Sequence, residues 1–116
     1  MAAMTGALTT HVLDVAQGRP AHGVGIELWR EEVRIAKAVT NADGRTDAPL
    51  VAPGSLEVGV YELRFAVGAY FAGTGTADDP SFLEVVPVRF GISDPNADHH
   101  VPLLVTPWSY STYRGS

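Results

Sequence analysis

Apolar and polar residues alternate with a period of two along most of the chain, the spacing of strands that bury one face and expose the other. Leu8 to Val15 is the first such run, and Gln17-Gly18-Arg19-Pro20 ends it with turn-forming residues. Val24 to Arg30 follows, with Val24, Ile26 and Leu28 on one face, and Val33 to Thr40 comes after an acidic turn at Glu31-Glu32. Asn41-Ala42-Asp43-Gly44 predicts a tight turn, because Asn, Asp and Gly tolerate positive φ. Arg45 to Leu50 predicts a short strand, and Ala52-Pro53-Gly54-Ser55 breaks the pattern. Val58 to Val67 alternates cleanly, and Gly68 to Thr76 is the one segment read as a short helix. Phe82 to Ile92 predicts a long strand in which Pro87 marks an edge or a bulge. His99 to Thr106 and Ser109 to Arg114 are the last two strands, with a corner at Pro107-Trp108. About eight short strands at roughly ten-residue spacing predict an all-β sandwich or barrel.

Composition narrows the class. The 116 residues are 46% apolar and 18% charged, globular proportions for a single domain. The expected organisation is a flexible N-terminus at residues 1–7 and one domain over 8–116. A net charge of −5 argues against nucleic acid as a partner, since a phosphate binder needs a basic face. With no cysteine, the chain has no disulfide, zinc-thiolate site or thiol nucleophile. Its N-terminal residues lack a basic stretch and a long apolar run, and no segment has the roughly 18 apolar residues of a membrane span. A soluble cytoplasmic protein is the expectation.

The candidate chemistry lies with four histidines, His11, His22, His99 and His100. A strand histidine is most often structural or solvated, and an arginine after a turn, such as Arg45, is usually a solvated charge. Asp98-His99-His100 contains metal-ligand types, but adjacent strand residues point to opposite faces and do not readily share one ion. The face carrying His100 also carries Pro102 and Leu104, and the face carrying His11 also carries Leu13. An outer sheet face that mixes histidines with Leu13, Leu104 and Tyr113 predicts burial against another subunit.

Three segments carry more specific information: Leu8-Thr9-Thr10-His11-Val12-Leu13-Asp14 with Gly18-Arg19-Pro20-Ala21 beyond it, Asn41-Ala42-Asp43-Gly44-Arg45, and His100-Val101-Pro102 leading to Tyr113-Arg114-Gly115-Ser116. In order and spacing they resemble the transthyretin-like 5-hydroxyisourate hydrolases over about Leu8 to Ser116. The terminal tetrapeptide is the specific part. The resemblance implies a transthyretin-like β-sandwich of two four-stranded sheets with one short helix. It implies hydrolysis of 5-hydroxyisourate in urate degradation, with no cofactor and no metal. It further implies a homotetramer, built as a dimer of dimers with sites at the dimer–dimer interface. The family's catalytic positions fall on His11, Arg45 and His100, and its substrate-binding tail on Tyr113, Arg114, Gly115 and Ser116. One departure is visible: Asp98-His99 stands where the family often has His-Tyr.

That chemistry suits these residue types. Water addition to a ring carbonyl needs a base, and an imidazole titrates close to working pH. It needs a fixed positive donor for the developing oxyanion, and a guanidinium supplies a planar fork that stays charged. In the tail, Tyr113 is read as a pocket wall, Arg114 as a ligand for substrate oxygens or an anchor, Gly115 as a bend and Ser116 as the bearer of the α-carboxylate. Two other classes fit the same sandwich: a carrier without catalysis, and a structural domain whose histidines are incidental.

Overall fold

A computed structural model describes residues 5–76 and 78–115. Ser116 and residues 1–4 lie outside the described residues. The strands are β1 (Leu8–Thr9), β2 (Val12–Asp14), β3 (Arg19–Pro20), β4 (Gly25–Arg30), β5 (Val33–Val39), β6 (Gly59–Phe65), β7 (Val86–Ile92), β8 (His99–His100), β9 (Leu103–Val105) and β10 (Tyr110–Thr112), with one helix, α1 (Val67–Thr74). Two four-stranded sheets result, in the orders β10-β9-β2-β3 and β5-β4-β6-β7, and β1 pairs separately with β8. The sheets enclose one core. Leu8, Val12 and Leu103 come from the first side and Ile26, Leu28, Leu63 and Phe65 from the second, each at most 1% exposed. Burying one such side chain contributes roughly 1.5–3 kcal/mol.

The expected first strand, Leu8 to Val15, and the expected Val-Pro strand, His99 to Thr106, are each divided in two. Leu8 pairs with His99 and Thr9 with His100, then Val12 with Leu103, Leu13 with Leu104 and Asp14 with Val105. The register is the same on both sides of the gap, so this is one parallel ladder with an interruption. At the interruption the Val101 and Leu103 amides still donate to the Thr9 and His11 carbonyls at 3.0 and 2.9 Å, but the Val101 carbonyl accepts from the Thr10 hydroxyl at 2.7 Å. His11 therefore sits between two strands rather than within one.

Three other expectations are corrected. Arg45 to Leu50 is not a strand. The Thr46 hydroxyl donates to the Ala48 carbonyl at 2.6 Å and Pro49 follows, so the segment bends, and only Leu50 and Val51 rejoin the ladder beside Leu8. The strand expected from Phe82 starts at Val86. Phe82 is 74% exposed and buries no face. Pro87 does lie on an edge, since β7 ends its sheet. The helix begins one residue earlier than expected, at Val67, and stops where Gly75 takes the left-handed conformation at φ 76°.

A buried carboxylate ties α1 to the first sheet. Asp14, 1% exposed, accepts from the Gln17 amide at 2.9 Å, the Gln17 side chain at 2.8 Å and the Tyr70 hydroxyl at 2.7 Å. Burial and then this carboxylate push the Tyr70 phenol up to about 12.

Candidate functional site

The interruption in the parallel ladder is where the candidate residues gather. Thr9 and His100 are register partners across β1 and β8, so their side chains leave the same face. The Thr9 hydroxyl and the His100 Nδ1 lie 2.9 Å apart. His99, pointing the other way, is 4% exposed and donates from Nδ1 to the Ala97 carbonyl at 2.9 Å. The two adjacent histidines are thus separated as the strand pattern predicts. Among the described residues, no group of three His, Cys, Asp or Glu side chains is placed to hold a metal ion.

His11 and Arg45 are brought in by the Asn41–Arg45 loop. The Asn41 carboxamide oxygen accepts from the amides of Asp43 at 2.9 Å and Arg45 at 3.2 Å. The Asn41 amide donates to the Arg45 carbonyl at 2.7 Å, which closes the loop. The loop then docks on the first strand: Gly44 accepts from the Val12 amide at 2.8 Å, and the Asp43 carbonyl accepts from His11 Nε2 at 2.8 Å. Gly44 is required twice over. Its φ is +75°, and a Cβ there would collide with the Val12 carbonyl oxygen. A carbonyl only accepts, so the proton of neutral His11 lies on Nε2 and its lone pair on Nδ1.

Arg45 and His100 line a cleft of about 400 Å³ together with Ala7, Thr9 and Asp98. Asp98 is held there by the Ala7 amide, which donates to Oδ1 at 3.0 Å. Burial pushes the His100 imidazole below its ordinary 6.5, and the nearby Arg45 guanidinium and His11 act in the same direction. Each disfavours a second positive charge. His100 is therefore a neutral imidazole at pH 7, beside a permanent cation.

The tail reaches this site through Gly115, whose amide donates to the His100 carbonyl at 2.7 Å. A Cβ at Gly115 would lie 2.7 Å from His100 Cδ2 and 3.2 Å from its Cβ. The glycine is needed for close approach to the imidazole, and its φ is not in the left-handed region. Tyr113 and Arg114 are exposed and do not line the cleft. The structure thus gathers His11, Arg45, His100 and Gly115, and leaves Tyr113 and Arg114 turned to solvent. Sequence reasoning missed Thr9 and Asn41 as organisers. The signal for Thr9 was its place two residues from His11 on the same face, and for Asn41 an Asn-x-Asp-Gly turn just before the arginine.

A larger concavity of about 960 Å³ lies on the outer face of the second sheet. Its carboxylates are already engaged: Glu62 with Arg64 and Arg89, Glu27 with Trp29 and Arg34. It offers no base comparable to His11 or His100.

Fold and cluster together define a transthyretin-like sandwich with a polar cleft lined by His100 and Arg45, and with His11 close enough to act on His100. The chain belongs to the HIUase/Transthyretin family, which it matches over residues 8–115. It is 57% identical over 113 residues to the 5-hydroxyisourate hydrolase of Deinococcus radiodurans, covering 94% of this chain and 95% of that one. Among solved structures it resembles the 5-hydroxyisourate hydrolase of Klebsiella pneumoniae, with 40% identity, a TM-score of 0.83 and coverage of 96% and 99%. It also resembles an (S)-allantoin synthase, with 45% identity and a TM-score of 0.92 over 98% of this chain. The chain spans 45% of that larger protein's length.

Proposed function

We propose that this chain hydrolyses 5-hydroxyisourate to 2-oxo-4-hydroxy-4-carboxy-5-ureidoimidazoline, by water attack on a ring amide. The observation that carries the reading is the meeting of a neutral His100, Arg45 and the chain's own tail at one break in the ladder. Water adds to the ring carbonyl as an imidazole takes its proton. The carbonyl oxygen becomes an oxyanion, which the Arg45 guanidinium stabilises; such donors are worth a few kcal/mol. The ring C–N bond then breaks, its nitrogen takes a proton, and a carboxylate and a ureido group result. Every proton moved has a donor or acceptor among His11, His100 and water.

Tyr113, Arg114 and Ser116 complete the substrate site in this reading, and they do so in an assembly. The working form is a homotetramer, a dimer of dimers with sites between the dimers, and the enzyme acts in the cytoplasm. Two features support the assembly: the apolar residues on the site's outer face, and a tail whose side chains meet solvent in the single chain. One domain over residues 8–116 carries the activity without a cofactor. Among the described residues no helix is long and apolar enough to cross a membrane.

A carrier without catalysis is disfavoured by the charge of Arg45 and by the hydrogen-bonded imidazoles of His100 and His11 gathered at the cleft. The test is the decay of freshly generated 5-hydroxyisourate, followed by ultraviolet absorbance. The protein should accelerate the decay well beyond its spontaneous rate, and His100→Ala should remove most of that acceleration. Equal decay rates with and without the wild-type protein would reject the hydrolase reading.

A further inference from the structure

We propose that Thr9 is a positioning residue that fixes His100 as its Nε2–H tautomer and so gives His11 and His100 different tasks. The inference rests on the hydrolase reading for its kinetic consequence, but its structural content stands alone.

The Thr9 side chain is half-buried, and His100 Nδ1, at 2.9 Å, is its one protein partner among the described residues. A hydroxyl in such a place needs an acceptor for its proton. A neutral imidazole has one nitrogen that accepts and one that donates. If Nδ1 donated, the Thr9 proton would have no protein acceptor. If Thr9 donates, both groups are satisfied, and the His100 proton must lie on Nε2. The shared register of β1 and β8 makes the contact a property of the ladder rather than of one rotamer. Gly115 closes the other side of the ring, at the Cδ2 edge, so the imidazole is held from two elements.

His11 is held in the complementary manner. It donates from Nε2 to a main-chain carbonyl, which leaves Nδ1 with the lone pair. The site thus holds one imidazole lone pair, on His11 beside the cleft, and one imidazole N–H, on His100 within it. His11 is suited to take the proton of water. His100 is suited to donate to the substrate, next to Arg45. Burial and the neighbouring Arg45 and His11 keep His100 neutral, so it donates from a single N–H rather than titrating as a second base. Asp98 is the other charged residue that lines the cleft with Arg45 and His100.

The test combines nitrogen NMR of the imidazoles with kinetics. In the wild type, His100 should show the Nε2–H tautomer at pH 7.5. Thr9→Val keeps the shape and strand preference of the side chain and removes the hydroxyl. It should give a mixture of tautomers and lower kcat for 5-hydroxyisourate roughly tenfold, the scale of one lost hydrogen bond, with little change in KM. Thr9→Ser should restore both. A wild-type His100 carrying its proton on Nδ1 overturns the proposal, as does a Thr9→Val protein with unchanged tautomer and kcat. A wild type that fails to hydrolyse 5-hydroxyisourate rejects the hydrolase reading instead, and the tautomer measurement still decides the role of Thr9.

Discussion

Gly115 shows how one residue's size sets the approach of its segment to the His100 ring. Its Cα packs so closely on His100 that a single methyl group would reach 2.7 Å from Cδ2, and the imidazole is also fixed by Thr9. Gly115→Ala must move either the ring or the tail. Misplacement of a reacting group by about 1 Å costs on the order of a hundredfold in rate, so turnover should fall by that scale while the melting temperature hardly changes. Initial rates and thermal unfolding of the variant check this, and undiminished turnover would refute it. The lowered pKa of His100 makes a second prediction. Well above pH 6.5 the imidazole is neutral in both folded and unfolded chains and contributes nothing to the pH dependence. Below 6.5 the unfolded chain binds the proton first, so stability falls with pH until the depressed folded value is passed. The urea midpoint should drop across that window in the wild type and drop less in His100→Asn. Burial is the main cause, with Arg45 and His11 behind it, so Arg45→Gln should move the NMR titration of His100 only part of the way back toward 6.5.

At the scale of elements, the sequence is most readable where one face is plainly apolar. Val24 to Arg30 and Val58 to Val67 bury alternate residues as their pattern predicts, with Ile26, Leu28, Tyr61, Leu63 and Phe65 in the core. The pattern fails where hydrogen bonding by particular side chains overrides it. Thr10 interrupts a ladder that alternation alone runs straight through, and Thr46 with Pro49 turns an expected strand into bends. His11, Arg45 and His100 were identifiable from motif order. The partners that orient them, a main-chain carbonyl for His11 and the Asn41 loop for Arg45, follow from chain crossings that a linear pattern does not contain. The β4–β5 hairpin offers an independent test. Its two-residue turn places Glu31 at φ 51° and Glu32 at φ 65°, a conformation that favours an Asn-Gly pair. Each left-handed non-glycine residue costs roughly 1–2 kcal/mol. The double substitution Glu31→Asn with Glu32→Gly should raise unfolding stability by about 1–2 kcal/mol without altering turnover. Urea unfolding measures the gain, and an unchanged midpoint would mean the turn is not strained.

For the whole molecule, the decisive surface is the outer face of the first sheet. Leu13, Leu104 and Ser111 form one row across β2, β9 and β10, with His11 and Thr9 continuing along the same face. Trp108 and Tyr113, 61% and 59% exposed, belong to the same end of the chain. A sheet face built to meet only water would carry polar residues in the place of Leu13 and Leu104, and a wet cleft would leave Arg45 and His100 in a high dielectric, where their interaction with an oxyanion is weak. In the proposed tetramer another subunit covers this face, which would remove both difficulties and give Tyr113 and Arg114 something to touch. Leu104→Glu places a charge at the centre of the row. Loss of a central contact residue weakens association by about 2 kcal/mol or more, roughly thirtyfold. Sedimentation should therefore show smaller species at micromolar concentration, with 5-hydroxyisourate turnover lost and the far-ultraviolet circular dichroism of the sandwich retained. Val33→Ser, at the exposed start of the edge strand β5 in the opposite sheet, should leave both assembly and turnover as they are. A Leu104→Glu protein that dissociates and still turns over at the wild-type rate would show that one subunit contains the whole site.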